Sequence, residues 1–168
     1  MQPEFSRLIS TEHIDSAGKT HEITASPAEC EALAQRFSLE GILHLSASIF
    51  LQRESAGRIK ASGTFTAQII QKSAISLEPF SSTICEDFTT LFTEGEEYAE
   101  EIDIDSDKED IDFISEGRID IGELTAEYLA LAIPLFPRQE DETFTYENEP
   151  EDTENTQKNP FAVLKDLK

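Results

Sequence analysis

Between Leu43 and Ile69 the chain alternates apolar and polar residues through two runs so long that few folds accommodate them. Leu43, Leu45, Ala47, Ile49 and Leu51 alternate with His44, Ser46, Ser48, Phe50 and Gln52. After a turn at Ser55-Ala56-Gly57, Ile59, Ala61, Gly63, Phe65, Ala67 and Ile69 alternate with Lys60, Ser62, Thr64, Thr66 and Gln68. Period two on both sides of a short glycine-containing loop specifies an antiparallel hairpin with one apolar and one solvated face. Gly63 has no side chain to pack in mid-strand, which marks an expected bend or bulge. After Pro79 a third strand sends Phe80, Ile84, Phe88 and Phe92 inward and Ser81, Thr83, Asp87 and Thr89 outward.

An apolar sheet face needs a cover, and two helix signatures supply it. Ser26-Pro27-Ala28-Glu29 has a capping serine, proline at the first helical position and glutamate at the third, followed by Cys30, Leu33, Ala34 and Phe37 on one face. Asp120 and Glu123 stand in the same capping spacing, and Leu124, Tyr128 and Leu131, with Leu129, Ala132 and Ile133 beside them, form a wide apolar stripe that Pro134 ends. Upstream, Glu4 to Ile9 and Lys19 to Thr24 read as strands, and Ile111, Phe113 and Ile119 bracket a turn at Ser115-Glu116-Gly117. The expected fold is α+β: a curved antiparallel meander, with barrel-like closure as an alternative, packed with two core helices and carrying an acidic loop and tail.

Net charge is −22 over 168 residues, but it is concentrated. Residues 94–112 hold 11 carboxylates against Lys108, and residues 139–157 hold 8 with no basic residue. The remainder has 16 acidic and 12 basic side chains, ordinary for a soluble body. The expected organisation is one α+β domain over 1–138 with an acidic loop at 94–110 and a short edge strand at Ile102 to Asp105, then an acidic flexible linker over 139–157. A short amphipathic segment over 158–168 follows, with Asn159 and Pro160 opening a helix that aligns Phe161, Leu164 and Leu167. No apolar run spans a membrane and the amino end lacks a secretory pattern, so a cytoplasmic location is expected. Cys30 and Cys85 sit on apolar faces and are expected to be reduced core residues.

Chemistry-bearing motifs are sparse. Asp103-x-Asp105-x-Asp107 suggests calcium, but Lys108 and Ile114 stand where that loop pattern requires glycine and glutamate. His13, His21 and His44 show no metal-ligand spacing, and His44 beside Ser46 reads as a surface residue unless a carboxylate meets it. No cofactor, metal or catalytic residue is expected. Arg53, Arg58 and Lys60 cluster about the hairpin loop as a small basic rim for phosphates, whereas the overall field favours a basic partner.

Three motifs in order carry a resemblance: Ile75-Ser76-Leu77-Glu78-Pro79-Phe80; Asp120-Ile121-Gly122-Glu123-Leu124 with Tyr128-Leu129-Ala130-Leu131-Ala132-Ile133-Pro134; and Asn159-Pro160-Phe161-Ala162-Val163-Leu164. Together they resemble the YceD family, bacterial large ribosomal RNA accumulation proteins, in an alphaproteobacterial form. The resemblance implies a cytosolic, non-catalytic factor for 23S ribosomal RNA accumulation and large-subunit assembly, and no enzyme. Many members carry cysteine just before the Leu-Glu-Pro step, where this chain has Ser73 and Ser76, so a metal or redox role does not transfer. What transfers is an interaction surface: Leu77, Glu78 and Pro79 at the turn, and Asp120, Gly122, Glu123 and Leu124 at the helix start. Phe161 and Leu164, and the Arg53, Arg58 and Lys60 rim, are further candidates. Expected partners are ribosomal RNA precursor or basic ribosomal proteins of the large subunit, with neither a membrane nor a small-molecule substrate.

Overall fold

The computed structural model describes residues 3–55, 57–93, 110–114 and 116–143. Its elements are β1 (Leu8–Ser10), β2 (Lys19–Thr24), α1 (Pro27–Arg36), β3 (Gly41–Ser55), β4 (Arg58–Lys72), β5 (Pro79–Thr93), β6 (Asp110–Phe113), β7 (Arg118–Asp120) and α2 (Ile121–Ala132). Strands β2-β3-β4-β5 form an antiparallel meander, β6 adds to β5 in parallel, and β1 and β7 pair separately as a two-stranded antiparallel sheet. The fold is α+β, and the five-stranded sheet does not close into a barrel.

The alternating runs do what their period requires. Leu45, Ala47, Ile49, Leu51, Ile59, Ala61, Phe65, Ala67 and Ile69 are buried on one face, covered by α1 over β3 and by α2 against β1, β4 and β5. Ser26 caps α1 with the full reciprocal box: its hydroxyl accepts from Glu29 N while the Glu29 carboxylate accepts from Ser26 N.

Four expectations are corrected. Leu43 is 57 % exposed and Ile42 is buried instead, because a bulge between Ile42 and His44 leaves Leu43 as the extra residue and shifts the phase of the strand. Gly63 carries no bulge, its register with Ile49 and Phe88 being unbroken. Its bareness serves close approach, since a Cβ there would lie 2.6 Å from the Ser48 carbonyl oxygen. Leu131 is 80 % exposed; the buried stripe of α2 is Ile121, Leu124, Thr125, Ala126 and Leu129, one step round the helix. Cys30 is buried, but Cys85 is exposed, in phase with the outward Thr83 and Asp87.

The first strand begins later than expected, at Leu8, because the preceding backbone is claimed by α2. Arg7 N donates to Asp120 Oδ1 at 2.7 Å and Ile121 N donates to the Arg7 carbonyl at 3.0 Å. Phe5 is fully buried beneath this junction, with the Arg7 guanidinium 4.7 Å above its ring.

Candidate functional site

Asp120 precedes α2 as its cap, its carboxylate accepting from Gly122 N at 3.1 Å and Glu123 N at 3.2 Å as well as from Ser6 Oγ and Arg7 N. Four donors on one carboxylate leave it little capacity for another ligand. Gly122 lies against the Phe5–Arg7 backbone, where a Cβ would come within 2.5 Å of the Phe5 carbonyl oxygen. Leu124 is core. Glu123 does not complete the expected capping box; it pairs with Arg36 at 2.7 Å, and Arg36 also reaches Glu4 at 3.0 Å. Asp120, Gly122 and Leu124 therefore form the frame, and Glu123, half-buried and held by Arg36, stands beside Asp120 at the edge of an open space.

That space is a cleft of about 430 Å³ between β6, β7 and the first turns of α2. Among the described residues Asp112, Glu116, Asp120, Glu123 and Glu127 line it against the single cation Arg118, with Leu8, Phe92 and Phe113 as apolar surface. Leu8 and Phe113 are both more than half exposed. Burial, with Asp112 and Glu123 nearby, raises the Glu127 carboxyl above its ordinary value. Among the described residues Asp112, Glu116 and Glu127 take part in no ion pair. An acid-rimmed apolar cleft suits a cationic side chain with an aliphatic neighbour. Glu123 and Glu127, four apart on α2, were the sequence signal for this wall; Leu8 and Phe113, more than a hundred residues apart in the chain, gave none.

The Leu77-Glu78-Pro79 turn stands at the far end of α2. Leu77 adopts φ +61°, a left-handed conformation costly for a branched side chain, and is 71 % exposed. The turn is held by Ser73: its amide donates to the Glu78 carbonyl at 2.9 Å and its carbonyl accepts from Leu77 N at 3.0 Å. Ser73 Oγ and Ser76 Oγ both donate to the Glu142 carboxylate, and these bonds, Ser73 first, hold that carboxyl below its ordinary value. With Ala74 N donating to the Pro137 carbonyl, the chain beyond α2 is fastened to the turn.

The cluster at the β3–β4 loop divides. Arg53 lies on the core face and is half-buried, donating from Nε to the Ile14 carbonyl at 3.0 Å and from its terminal nitrogen to the Thr11 carbonyl at 2.6 Å. Lys60 pairs in register with Gln52 on the opposite face, and Arg58 is exposed. The hairpin does not bring the three together as one phosphate-facing rim.

His44 Nε2 lies 3.0 Å from Ser46 Oγ, but among the described residues no carboxylate meets the ring, so no nucleophile–base–carboxylate relay is assembled. Among the described residues no group of three or more His, Cys, Asp or Glu could hold a metal ion, and no helix is long and apolar enough to cross a membrane. The Asp103-Asp105-Asp107 loop, the strand at 102–105, Phe161 and Leu164 lie outside the described residues.

A family model described as large ribosomal RNA subunit accumulation protein YceD matches residues 61–168, which includes every cleft residue except Leu8 and the whole of the serine-held turn. No curated protein and no solved structure matches.

Proposed function

The chain belongs to the YceD family of large ribosomal RNA subunit accumulation proteins, and from that premise we propose that it supports 23S ribosomal RNA accumulation by holding basic ribosomal proteins of the large subunit during assembly. It works as a binding factor rather than an enzyme, in the cytoplasm where those proteins are made. The observation that carries this reading is the cleft: five carboxylates, three of them with neither an ion-pair nor a hydrogen-bond partner among the described residues, around exposed Leu8 and Phe113. Unpaired carboxylates held against apolar surface favour lysine- and arginine-rich segments and repel a phosphate backbone. The 19 carboxylates of residues 94–112 and 139–157 extend the same field.

The test is capture of large-subunit ribosomal proteins by the tagged full chain, with the double variant Glu116→Lys/Glu127→Lys beside it. Capture weakens steeply between 50 and about 300 mM salt, as expected for charges screened over about 8 Å at physiological ionic strength. The double variant loses it about tenfold or more. Salt-independent capture, or a variant equal to the parent chain, refutes the reading. Direct RNA contact through Arg53, Arg58 and Lys60 is less well supported, because Arg53 is committed to the Thr11 and Ile14 carbonyls.

A further inference from the structure

Strand β5 runs for 15 residues, yet β6 pairs only with Thr90 to Thr93. Along Pro79 to Thr89 the side of β5 away from β4 has no strand partner among the described residues. The direction of its backbone groups follows from two hydrogen bonds. The Thr89 carbonyl accepts from the Tyr128 hydroxyl at 3.3 Å, and the Thr93 carbonyl accepts from Ile114 N at 2.9 Å, so both face away from β4. Because the β4–β5 register is unbroken, the same sense recurs at every second residue, at Asp87, Cys85, Thr83 and Ser81. Four residues thus present amide and carbonyl groups to an open edge.

Edges of this length are ordinarily blunted by proline, lysine, a bulge or an inward charge. Ser81 to Asp87 has no proline, lysine or bulge; its outward charge, Asp87, is engaged by Thr64 Oγ1, and Glu86, on the groove face, is solvent-exposed and leaves the backbone edge uncovered. Beneath the edge lies a groove of about 440 Å³ whose apolar walls are Phe80 and Ile84 on the strand, Ala132 at the end of α2, and Pro134 and Phe136 beyond it. Helix α2 runs antiparallel to β5, with Tyr128 stacked on Phe88 at 4.6 Å midway. The acid cleft, at Phe92 and Glu123–Glu127, and this groove, at Phe80–Ile84 and Ala132–Phe136, therefore lie toward the two ends of the seam between β5 and α2, with the Tyr128–Phe88 stack between them.

Building on the basic-partner reading of the cleft, we propose that the open edge of β5 takes an extended basic segment of a protein partner as an added strand, antiparallel or parallel to β5. The segment's alternate apolar side chains drop into the Phe80–Phe136 groove. Eleven residues of edge span about 37 Å at about 3.4 Å each, enough to seat eight or more partner residues. Charge selects the occupant. Glu86 lines one end of the seam with Arg138, Glu78 and Glu142 standing at the adjoining turn, and Asp112, Glu116 and Glu127 line the other with Arg118, six carboxylates against two cations. The chain's own residues 144–157 carry five carboxylates and no cation, and a second copy brings the same negative edge, so both are repelled; residues 158–168, with Lys158, Lys165 and Lys168 against Asp166, are the internal competitor that amide exchange in the chain alone tests.

The probe is a fluorescein-labelled eight-residue peptide alternating lysine and valine, titrated by anisotropy against the full chain. It binds, and N-methylation of one alternate set of its amides weakens binding at least tenfold. Thr83→Pro, which removes an outward N–H and no β4–β5 hydrogen bond, does the same at an unchanged urea midpoint, with Cys85→Pro as the second variant. Equal affinity for the N-methylated peptide, or for Thr83→Pro, overturns the proposal. So does exchange protection of the Ser81, Thr83, Cys85 and Asp87 amides in the chain alone, which identifies an internal occupant, or a dimer that Thr83→Pro dissolves. If Thr83→Pro still captures ribosomal proteins in a salt-sensitive way, strand addition falls and the cleft reading stands. If the peptide binds as described while ribosomal-protein capture fails, the reverse holds.

Discussion

Gly122→Ala sets two well-calibrated effects against each other. In a helix the exchange ordinarily adds up to about 1 kcal/mol of stability, and Gly122 is the second residue of α2. Here the added Cβ would sit 2.5 Å from the Phe5 carbonyl oxygen and 2.9 Å from Arg7 N, both backbone atoms that have no rotamer to turn away. Restoring ordinary contact near 3.4 Å requires the Phe5–Arg7 segment to retreat by about 0.9 Å. Overpacking of that kind costs about 1–3 kcal/mol. The retreat also stretches the Arg7 N to Asp120 bond and the Ile121 N to Arg7 bond, each worth about 0.5–1.5 kcal/mol. The net expectation is a loss of about 2 kcal/mol, or about 4–8 °C in Tm for a chain of this length. Urea unfolding at constant slope measures it, and hydrogen exchange localises it: the Arg7 and Ile121 amides lose protection before those of β3 and β4. A variant as stable as the parent, or more stable, refutes the account of the Phe5–Arg7 junction.

Two further outcomes follow from side chains already placed. Glu29 is held at about 2, first by its bidentate pair with Arg7, against an ordinary value of 4.5. A carboxyl depressed in the folded state contributes stability that is full above about 4.5 and lost as pH falls toward about 2, so acid melts of the parent chain steepen across that window and those of Glu29→Gln flatten. The linkage limit is about 3 kcal/mol, and solvent screening of this partly exposed pair brings the expected contribution to about 1 kcal/mol. Arg53→Ala, which frees the Thr11 and Ile14 carbonyls, costs about 1–3 kcal/mol in urea unfolding; an unchanged midpoint would show that the guanidinium is no structural tie.

What was legible in the sequence was local. Strand β2 falls on Lys19–Thr24 as expected, and the Ser26-Pro27-Ala28-Glu29 signature starts α1 where it stands, because a cap is decided within four residues. Leu43 was misplaced because a single extra residue reverses which side chains face the core, and no residue type announces it. Ile111, Phe113 and Ile119 looked like neighbours about one turn, yet β6 joins Thr90–Thr93 while β7 joins Leu8–Ser10. Those choices are made by partners far off in the chain. The same limit applies to function. Asp120 and Glu123 were visible as a helix start, but the cleft exists only because Leu8 and Phe113 arrive there, and Arg53 was visible as a cation while its carbonyl partners were not.

The pairing of Leu8–Ser10 with Arg118–Asp120 has a consequence for birth on the ribosome. Synthesis is vectorial, and the first strand has nowhere to settle until more than a hundred further residues have emerged, at about 5–20 residues per second a wait of several seconds to about twenty. Through that interval Phe5, fully covered in the finished molecule, stays uncovered in the nascent polypeptide, and α2, the last helix among the described residues, is the one that shuts it in.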